Sequence, residues 1–414
     1  MLIEMPRHTE IFGSLKIHEM QRVLKIDSGG FENPRAKDIP FDEIKDVLRR
    51  LALVIPVKDE NINLLDGVLR AIPFDCSIIV VSNSKREPQD IYKMEKDLVA
   101  RIHDYSQQEI LCIHQKDPQL GFAFYEAGYE YLLDNDKLVR DGKSEGMIAG
   151  MILAKSLGKE FIGFTDADNY IPSSAREYVI DYAAGFCMAE SPYSMVRLHW
   201  RYKPKVVDDK LYFKKWGRVS ETTNKYLNLL ISTRTGFETG VVITGNAGEH
   251  ALTTKLADIM SYSTGYSVEP YHFIYLFEKC GLEVEEIADQ EAASAGIEIF
   301  QIETLNPHIH EEKGEEHVDD MLLSSLSTIY HCKLCNDYVR SKVLEELGDI
   351  MKLETPKKTV IMPSIREIDP HKFVKILEGT AESFVRFEQG AIEREVEERE
   401  VEEKEVEEKE VEET

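Results

Sequence analysis

Residues 51–83, LALVIPVKDENINLLDGVLRAIPFDCSIIVVSN, give the clearest indication of the fold class. It opens with a short apolar run rich in β-branched residues, passes through a polar loop into a helical pattern, and closes with a second apolar run. Short apolar runs bounded by polar turns are typical of buried strands, and apolar residues three and four positions apart are typical of a helix. A strand, a helix and a strand in this order predict a right-handed βαβ unit within a parallel sheet.

The same alternation continues along the chain. Further strands are predicted at EILCIH (109–114), EFIGFTD (160–166), MVRLHW (195–200) and ETGVVIT (238–244). Helices are predicted from Pro88 to about His103, over 144–157, from Ser173 or Ser174 to Phe186, and over 247–256, 271–280, 317–347 and 370–389. The chain is therefore predicted to have an α/β fold with a mostly parallel central sheet and a C-terminal helical elaboration.

Length and charge exclude several classes of protein. The 414-residue chain is long enough for one large α/β domain with additions, and it carries a net charge of -26 at pH 7. That charge argues against nucleic acid or an anionic membrane surface as a general partner, because both would be repelled. There is no signal-peptide pattern and no apolar run of membrane-spanning length, and the six cysteines are scattered. We therefore expect a reduced, cytoplasmic protein, with a homodimer as the default assembly.

The strongest chemical signal is FIGFTDADNY (161–170), where an apolar strand ends in two carboxylates separated by one residue. Ligands bind at the carboxyl edge of parallel sheets, so Asp166 and Asp168 are placed to hold a hard divalent cation together with phosphate oxygens. A strand-end turn in which one aspartate merely caps the next helix is the simpler interpretation, and an isolated Asp-x-Asp does not exclude it.

Three other segments favour the cation site. PVKDEN (56–61) directly follows the first strand, and VVSNSK (80–85) ends the second strand beside it, so Asn83 is placed to bind a nucleoside by hydrogen bonds. GKSEGM (142–147) puts Lys143 at a helix start, where an ammonium group and free amides can both bind a diphosphate. Each segment alone would also fit an ordinary loop or helix cap, but the four together predict a nucleotide site.

The motifs PVKDEN, VVSNSK, GKSEGM, FTDADNY, TGNAGEHALT (244–253) and NPHIHEEKGEEH (306–317), in this order, resemble the mannosyl-3-phosphoglycerate synthase family. The resemblance covers about residues 1–390 and implies a Rossmann-like GT-A glycosyltransferase domain. It also implies metal-dependent transfer of mannose from GDP-mannose to 3-phosphoglycerate with retention of anomeric configuration. That reaction is the first step in making the compatible solute mannosylglycerate.

The resemblance implies roles for particular residues. Asp166, Asp168 and Lys143 are expected to be catalytic. Asp168 is expected to bind the metal, Mg²⁺ first and Mn²⁺ or Co²⁺ as alternatives, with His308 as the second ligand and His310 as the alternative histidine. The nucleotide-sugar pocket is expected to contain Pro56, Val57, Lys58, Glu60, Asn83, Lys143, Asp166, Ala167 and Asp168.

The acceptor carries a phosphate and a carboxylate and so needs its own anion site. Arg140 is the first candidate, and the loop of Asn246, Ala247 and Gly248 is expected to enter a helix whose amides would receive an anion. Glu269 is a further acid to test in catalysis, although it could equally favour a helix start. Two alternatives stay open: a GT-A transferase with a different donor or acceptor, and a nucleotide-sugar-binding protein without catalysis.

The expected domain organisation has four parts. They are a lead-in packed on the main domain (1–50), a GT-A catalytic domain (51–310), a helical C-terminal subdomain (311–390) and an acidic low-complexity tail (391–414). Within the catalytic domain, the nucleotide-sugar half is expected over about 51–170 and the acceptor half over about 171–310. The EVEEK-like repeats of the tail place no common apolar face on a helix, so we expect the tail to be solvated.

Overall fold

The structure is a computed structural model. It describes residues 2–4, 6, 8–21, 36–200, 204–207, 210–212, 218–281, 289–311, 314–351 and 353–390. The acidic tail predicted at 391–414 lies outside these residues. Within the described ranges, every helix is too short or too polar to cross a lipid bilayer.

Strands and helices alternate through most of the described chain. The strands are β1 (Leu2–Glu4), β2 (His8–Phe12), β3 (Leu15–Gln21), β4 (Ala36–Asp38), β5 (Leu51–Val57), β6 (Ser77–Ser82), β7 (Ile110–His114), β8 (Phe161–Phe164), β9 (Ser194–His199), β10 (Lys205–Val207), β11 (Lys210–Tyr212), β12 (His250–Thr253), β13 (Tyr262–Ser263), β14 (Ile297–Glu303), β15 (His310–Glu311), β16 (Ile361–Met362) and β17 (Val385–Phe387). The helices are α1 (Phe41–Arg49), α2 (Ile62–Ala71), α3 (Ile91–Ser106), α4 (Pro118–Glu126), α5 (Lys143–Ser156), α6 (Pro172–Met188), α7 (Arg218–Thr235), α8 (Thr254–Ile259), α9 (Val268–Cys280), α10 (Gln290–Ala295), α11 (Glu315–His331), α12 (Asp337–Leu347) and α13 (Pro370–Thr380).

The central sheet contains ten of the described strands, in the order β17-β7-β6-β5-β8-β12-β9-β14-β3-β2. Its middle is built from the predicted βαβ units, because β7, β6, β5 and β8 run parallel. β14 is also parallel to both of its neighbours, whereas β12 and the edge strands β17 and β2 run antiparallel to theirs. The predicted α/β fold with a mostly parallel sheet is confirmed.

Both ends of the described chain join this sheet. β2 and β3, from the predicted lead-in, extend one edge beside β14, and β17 covers the other edge beside β7. The helix predicted over 370–389 is wrong beyond Thr380, because the chain turns there and pairs its backbone with the open edge of β7. The helix predicted over 317–347 is two helices, since Asn336 starts α12 afresh by accepting a hydrogen bond from Val339 N. The division into four regions stays a prediction.

The strand predicted over 238–244 is wrong, because side-chain amides replace a neighbouring strand there. Asn228 Nδ2 donates to Val242 O (2.8 Å), and Asn228 Oδ1 accepts from Val242 N (2.9 Å). Gln301 makes an equivalent pair of bonds to the two flanking residues. The backbone of this segment is therefore satisfied without a sheet partner.

The helix predicted over 247–256 is also wrong. Its apolar stretch HALT forms β12, which is buried between β8 and β9. The following helix, α8, begins only after Thr253, whose side chain caps it by accepting from Leu256 N. The glycine-rich loop at 244–248 therefore leads into a strand and has no helix N-terminus to offer a ligand.

α5 carries Lys143 to the sheet edge, and the helix is buried over 144–154. A helix that is apolar on all sides packs inside a protein, and α5 lies against β5 and β6. Gly150 permits this close approach, since a Cβ there would lie 2.3 Å from Val54 Cγ1. The absence of a side chain at Gly150 therefore sets how closely the lysine-bearing helix packs on the sheet.

Gly150→Ala is expected to destabilise the protein, although alanine has the better helix propensity. The new methyl group would overlap Val54, and overpacking of this kind costs about 1–3 kcal/mol. Gly379→Ala in α13 is the matched control, because a Cβ there meets nothing within 4 Å, and it should stabilise by about 0.5–1 kcal/mol. Denaturant unfolding measures both, and a Gly150→Ala variant as stable as wild type would contradict the packing described.

Candidate active site

The predicted nucleotide motifs meet at the carboxyl edge of the parallel strands. Two loops are bonded directly there: Asn83 N donates to Val57 O (2.7 Å), and Lys85 N donates to Asp59 Oδ1 (2.8 Å). Asp59 N donates to Ser84 Oγ (2.7 Å), and Asp59 has a left-handed backbone (φ 58°), which aspartate tolerates better than most residues. The loops after β5 and β6 therefore form one unit.

The predicted nucleotide-sugar residues lie along this unit. Four of them end β5 or follow it on the loop: Pro56, Val57, Lys58 and Glu60. Asn83 connects the unit to the start of α5, because its Nδ2 donates to Asp141 Oδ1 (3.0 Å). That hydrogen bond lowers the pKa of Asp141 and keeps it ionised.

Lys143 is the first residue of α5 and lies between two carboxylates. Its Nζ is 2.8 Å from Asp166 Oδ1 and 3.2 Å from Glu269 Oε1. Burial acts to lower the pKa of Lys143, but the two carboxylates outweigh it and raise that pKa. Burial likewise acts to raise the pKa of Asp166, but the Lys143 ammonium outweighs it and holds that pKa below its usual range. Lys143 and Asp166 are therefore both charged at neutral pH.

Antiparallel β12 brings another segment to the same edge. His250 pairs with Phe164 at the carboxyl end of β8, so the residues before β12 lie beside the residues after β8. Gly248 approaches the ion pair closely, since a Cβ on it would be 2.9 Å from Asp166 Oδ2 and 3.0 Å from Lys143 Nζ. A side chain at this position would have to displace the ends of Asp166 and Lys143.

His308 lies between two further carboxylates. Its Nε2 is 3.2 Å from Asp168 Oδ1, its Nδ1 is 2.6 Å from Glu249 Oε1, and all three side chains are buried. Burial acts to lower the pKa of His308, but Glu249 and Asp168 outweigh it and raise the pKa to about 10. In the protein alone, the imidazole is therefore a cation at neutral pH.

Hydrogen bonds hold the loop before β15, which contains His308 (the histidine loop), against the loop after β8, which contains Asp168 (the aspartate loop). Tyr170 N donates to Ile309 O (2.8 Å), and Ile309 N donates to Asn169 Oδ1 (3.5 Å). Glu177 on α6 anchors the histidine loop further upstream by accepting from Asn306 N (3.0 Å) and Asn306 Nδ2 (2.6 Å). Two segments that are far apart in the sequence are thus fixed side by side.

A cluster of acids around His308 could hold a metal ion. Asp166, Glu249 and His308 each offer a ligand atom, and these atoms lie within 4.8 Å of one another. Asp168 is bonded to the same imidazole, so the neighbourhood offers three carboxylates and one ring nitrogen. Such a donor set is acceptable to Mg²⁺ and suits Mn²⁺ or Co²⁺. Of the two histidines considered, His308 belongs to the cluster, whereas His310 begins β15.

The loop with the predicted acceptor residues lies next to these acids. Ala247 is buried, and Asn246 Nδ2 donates to Ser325 Oγ on α11 (2.9 Å). The expectation that this loop enters a helix is wrong, because β12 follows it. Any anion bound here would meet loop amides, the Lys143 ammonium beside Gly248, or both.

Arg140 stands just before α5, in the same segment as Lys143. Gln115 Nε2 donates to the Arg140 carbonyl oxygen (2.6 Å), and the Arg140 guanidinium donates to Tyr131 O. Its Nε is buried and makes no hydrogen bond within the described part of the chain. Hydrogen bonds therefore hold Arg140 in place, and its Nε–H is available to donate to a ligand.

Glu249 is the residue of this site that the sequence analysis did not single out. It stands within the TGNAGEHALT motif, and its side chain is only 2% exposed. The sequence indicates its role only through the position of an acid within a run of small and apolar residues. The incorrect helix prediction over 247–256 obscured that indication, because an acid on a helix needs no special explanation. A carboxylate this buried requires a close partner, which His308 supplies.

A mostly parallel sheet with paired aspartates, a lysine at a helix start and a buried histidine at one edge defines a glycosyltransferase of the GT-A class. Comparison with known proteins identifies the family within this class. The family model for mannosyl-3-phosphoglycerate synthase matches residues 5–377. The mannosyl-3-phosphoglycerate synthase of Pyrococcus furiosus is 52% identical over 394 residues, which cover 94% of this chain and 100% of the relative. That of Aeropyrum pernix is 37% identical over 389 residues, covering 93% and 99%. The chain belongs to the mannosyl-3-phosphoglycerate synthase family.

Solved structures of glucosyl-3-phosphoglycerate synthase from Mycobacterium tuberculosis are also similar. The complex of that enzyme with UDP has a TM-score of 0.49 and 17% identity, covering 81% of this chain and 97% of that one. Its complex with Mn²⁺, UDP and glucosyl-3-phosphoglycerate has a TM-score of 0.46 and 17% identity, covering 74% and 88%.

Binding of Mn²⁺ at His308 is expected to release a proton, because the cation must replace the proton held there. Below the His308 pKa of about 10, the apparent affinity should therefore rise with pH. The rise should reach about tenfold per pH unit where one proton is displaced. Isothermal titration calorimetry in buffers of different ionisation enthalpy measures the proton directly. His310→Asn is the control and should keep the release, whereas unchanged release in His308→Asn would contradict the assignment.

Proposed function

We propose that this glycosyltransferase transfers mannose from GDP-mannose to 3-phosphoglycerate, giving mannosyl-3-phosphoglycerate and GDP. The observation that carries the proposal is the meeting of Lys143, the Asp166 and Asp168 pair and His308 at one edge of the sheet. The relatives from P. furiosus and A. pernix, similar over nearly the whole chain, are named for this product. Lys143 and the acids together suit a reaction in which a diphosphate departs.

The donor would lie across the loops after β5 and β6. Groups at 56–60 and Asn83 would contact the guanosine, and the diphosphate would reach Lys143 at the start of α5. Gly142, which precedes this helix, supplies no capping side chain, and the Glu145 carboxylate accepts from its own N–H in the first turn. The N–H groups of Lys143 and Ser144 are therefore the ones suited to phosphate oxygens. Ala167 and Asp168 would border the sugar and the phosphates.

A divalent cation, Mg²⁺ in the proposed physiological state, would be held by Asp168 and His308. When bound, it would neutralise negative charge on the leaving diphosphate. Glu249, 2.6 Å from His308 Nδ1, would orient the imidazole so that Nε2 faces Asp168. Carboxylates commonly orient metal-binding histidines through the second ring nitrogen in this way.

The other charged residues would stabilise the charges that develop during the reaction. Lys143 would balance the charge that develops on the β-phosphate as the sugar bond breaks. Asp166 is held ionised by Lys143, so it is suited to stabilise positive charge on the sugar rather than to donate a proton. Glu269 shares the same ammonium and is the second acid beside it. Retention, by double displacement or by same-face attack, stays a prediction.

The acceptor would bind at the loop of Asn246, Ala247 and Gly248, with Arg140 as a second anion contact. Gly248 lies against Lys143, which would bring the acceptor hydroxyl close to the donor diphosphate. A phosphate or carboxylate would be met there by N–H groups and an ammonium. A homodimer and a cytoplasmic location also stay predictions.

Release of GDP from GDP-mannose tests the proposal, with 3-phosphoglycerate present or absent and with Mg²⁺ or EDTA. We expect release to require both acceptor and cation, and to fall at least about 100-fold in Asp168→Asn because a metal ligand is lost. Asp97→Asn, an exposed acid on α3, is the control and should behave as wild type. Faster turnover of UDP-glucose would overturn the donor assignment. Full activity of Asp168→Asn would overturn the cation site.

A further inference from the structure

Arg197, on β9, is fully buried next to the acceptor loop at 244–248. Its Nε and Nη2 atoms donate to Thr244 O at 3.1 and 2.8 Å, and Nη2 also donates to Glu269 O at 3.2 Å. One guanidinium thus joins the start of the loop to the first turn of α9, where Glu269 contacts Lys143.

Within the described ranges, this guanidinium meets no carboxylate oxygen. Its remaining contacts are His272 Nδ1 (3.3 Å), Met195 Sδ (3.5 Å), Gly245 O (3.5 Å) and the ring of Phe273 (4.7 Å). Burial lowers the pKa of Arg197 to about 9, which reflects the cost of removing the charge from water. Because the partners of this buried cation are mainly carbonyl oxygens of one loop, the cation fixes the position of that loop.

His250, the first residue of β12, holds the other end of the loop. Its buried Nδ1 is 3.0 Å from Ala247 O and 3.0 Å from Gly248 O. Both neighbours are acceptors, so Nδ1 carries the hydrogen and donates it. Burial, together with the charges of Arg197 and Lys143, lowers the pKa of His250 and keeps the ring neutral.

Four carbonyl groups of the loop are therefore turned toward Arg197 or His250, namely those of Thr244, Gly245, Ala247 and Gly248. In a planar trans peptide, the N–H of the next residue points the opposite way. The N–H groups of Asn246 and Gly248 follow Gly245 O and Ala247 O, so they face away from the buried pair. The Ala247 N–H between them donates to Thr244 O (3.0 Å), so the loop offers two N–H groups, those of Asn246 and Gly248, near an ammonium. Backbone N–H groups placed in this way suit an anion.

We propose that Arg197 and His250 are positioning residues that set the peptide orientation of the 244–248 loop and thereby the affinity for the anionic acceptor. The inference rests on the proposed function, in which this loop binds 3-phosphoglycerate. It adds two buried side chains that act through the loop backbone and do not touch the substrate.

Steady-state kinetics on Arg197→Lys and His250→Asn test the inference. Lysine keeps the charge but has one donor centre in place of the guanidinium fork, and asparagine has a shorter reach toward the two loop carbonyls. We expect the KM for 3-phosphoglycerate to rise on the order of tenfold or more, because small displacements of binding groups have large effects. The KM for GDP-mannose should change less than about twofold. If Arg197→Lys does not fold, the KM values of His250→Asn alone test the inference.

Gln108→Ala is the matched control. Gln108 is also buried and its Nε2 donates to two carbonyl oxygens, Pro73 O (2.8 Å) and Cys76 O (3.0 Å). It precedes β7 and so lies at the amino edge of the parallel strands, opposite the site. This variant should lower the melting temperature and leave both KM values unchanged.

Asn246→Asp separates failure of the inference from failure of the proposed function. A new negative charge on the loop should raise the KM for 3-phosphoglycerate if the acceptor binds there. No change in Asn246→Asp would mean that the acceptor binds elsewhere. The assignment of the acceptor to this loop and the inference would then both fall, while the transfer reaction itself is decided by the GDP-release assay. A raised KM in Asn246→Asp, with Arg197→Lys and His250→Asn behaving like Gln108→Ala, would overturn the positioning role alone.

Discussion

The structure depends on pairing charges that have been removed from water. Lys143 stands between two carboxylates, and His308 stands between two others. Burying a single charge costs on the order of several kcal/mol, and only a close opposite charge or a set of hydrogen bonds offsets that cost. Each cation therefore fixes acids that come from different segments of the chain. A strand end, a helix start and two distant loops are held at one edge of the sheet by this requirement.

The order of strands determines which segments reach that edge. β5, β6 and β8 run parallel, so the loops after them meet, as expected for an open α/β sheet. β12 is inserted antiparallel beside β8, and its amino end therefore lies where the other strands have their carboxyl ends. That reversal brings Glu249 to His308 and Gly248 to Lys143. One antiparallel strand thus places the 244–248 loop beside the end of β8 and the start of α5.

The strands and helices of residues 51–157 could be predicted from the sequence because their signals are local. Apolar runs and periodicity determine β5, β6 and α5, and the polar loops that follow the strands contain the proposed site residues. Residues 238–256 could not be predicted in the same way. Residues 241–243 bond to side-chain amides on α7 and β14, and HALT is too short to distinguish a strand from a helix. Arg197 and Glu249 have their roles only through partners far along the chain, which no local pattern reveals.

The central claim is that a cation bound by Asp168 and His308 serves a diphosphate that also contacts Lys143. Anomalous diffraction from crystals grown with Mn²⁺ and GDP tests it most directly, because the signal locates the ion without reference to activity. We expect one manganese peak bonded to the Asp168 carboxylate, to His308 Nε2 and to diphosphate oxygens, with Lys143 in contact with the same diphosphate. A manganese peak at another set of side chains, or a diphosphate away from Lys143, would contradict it.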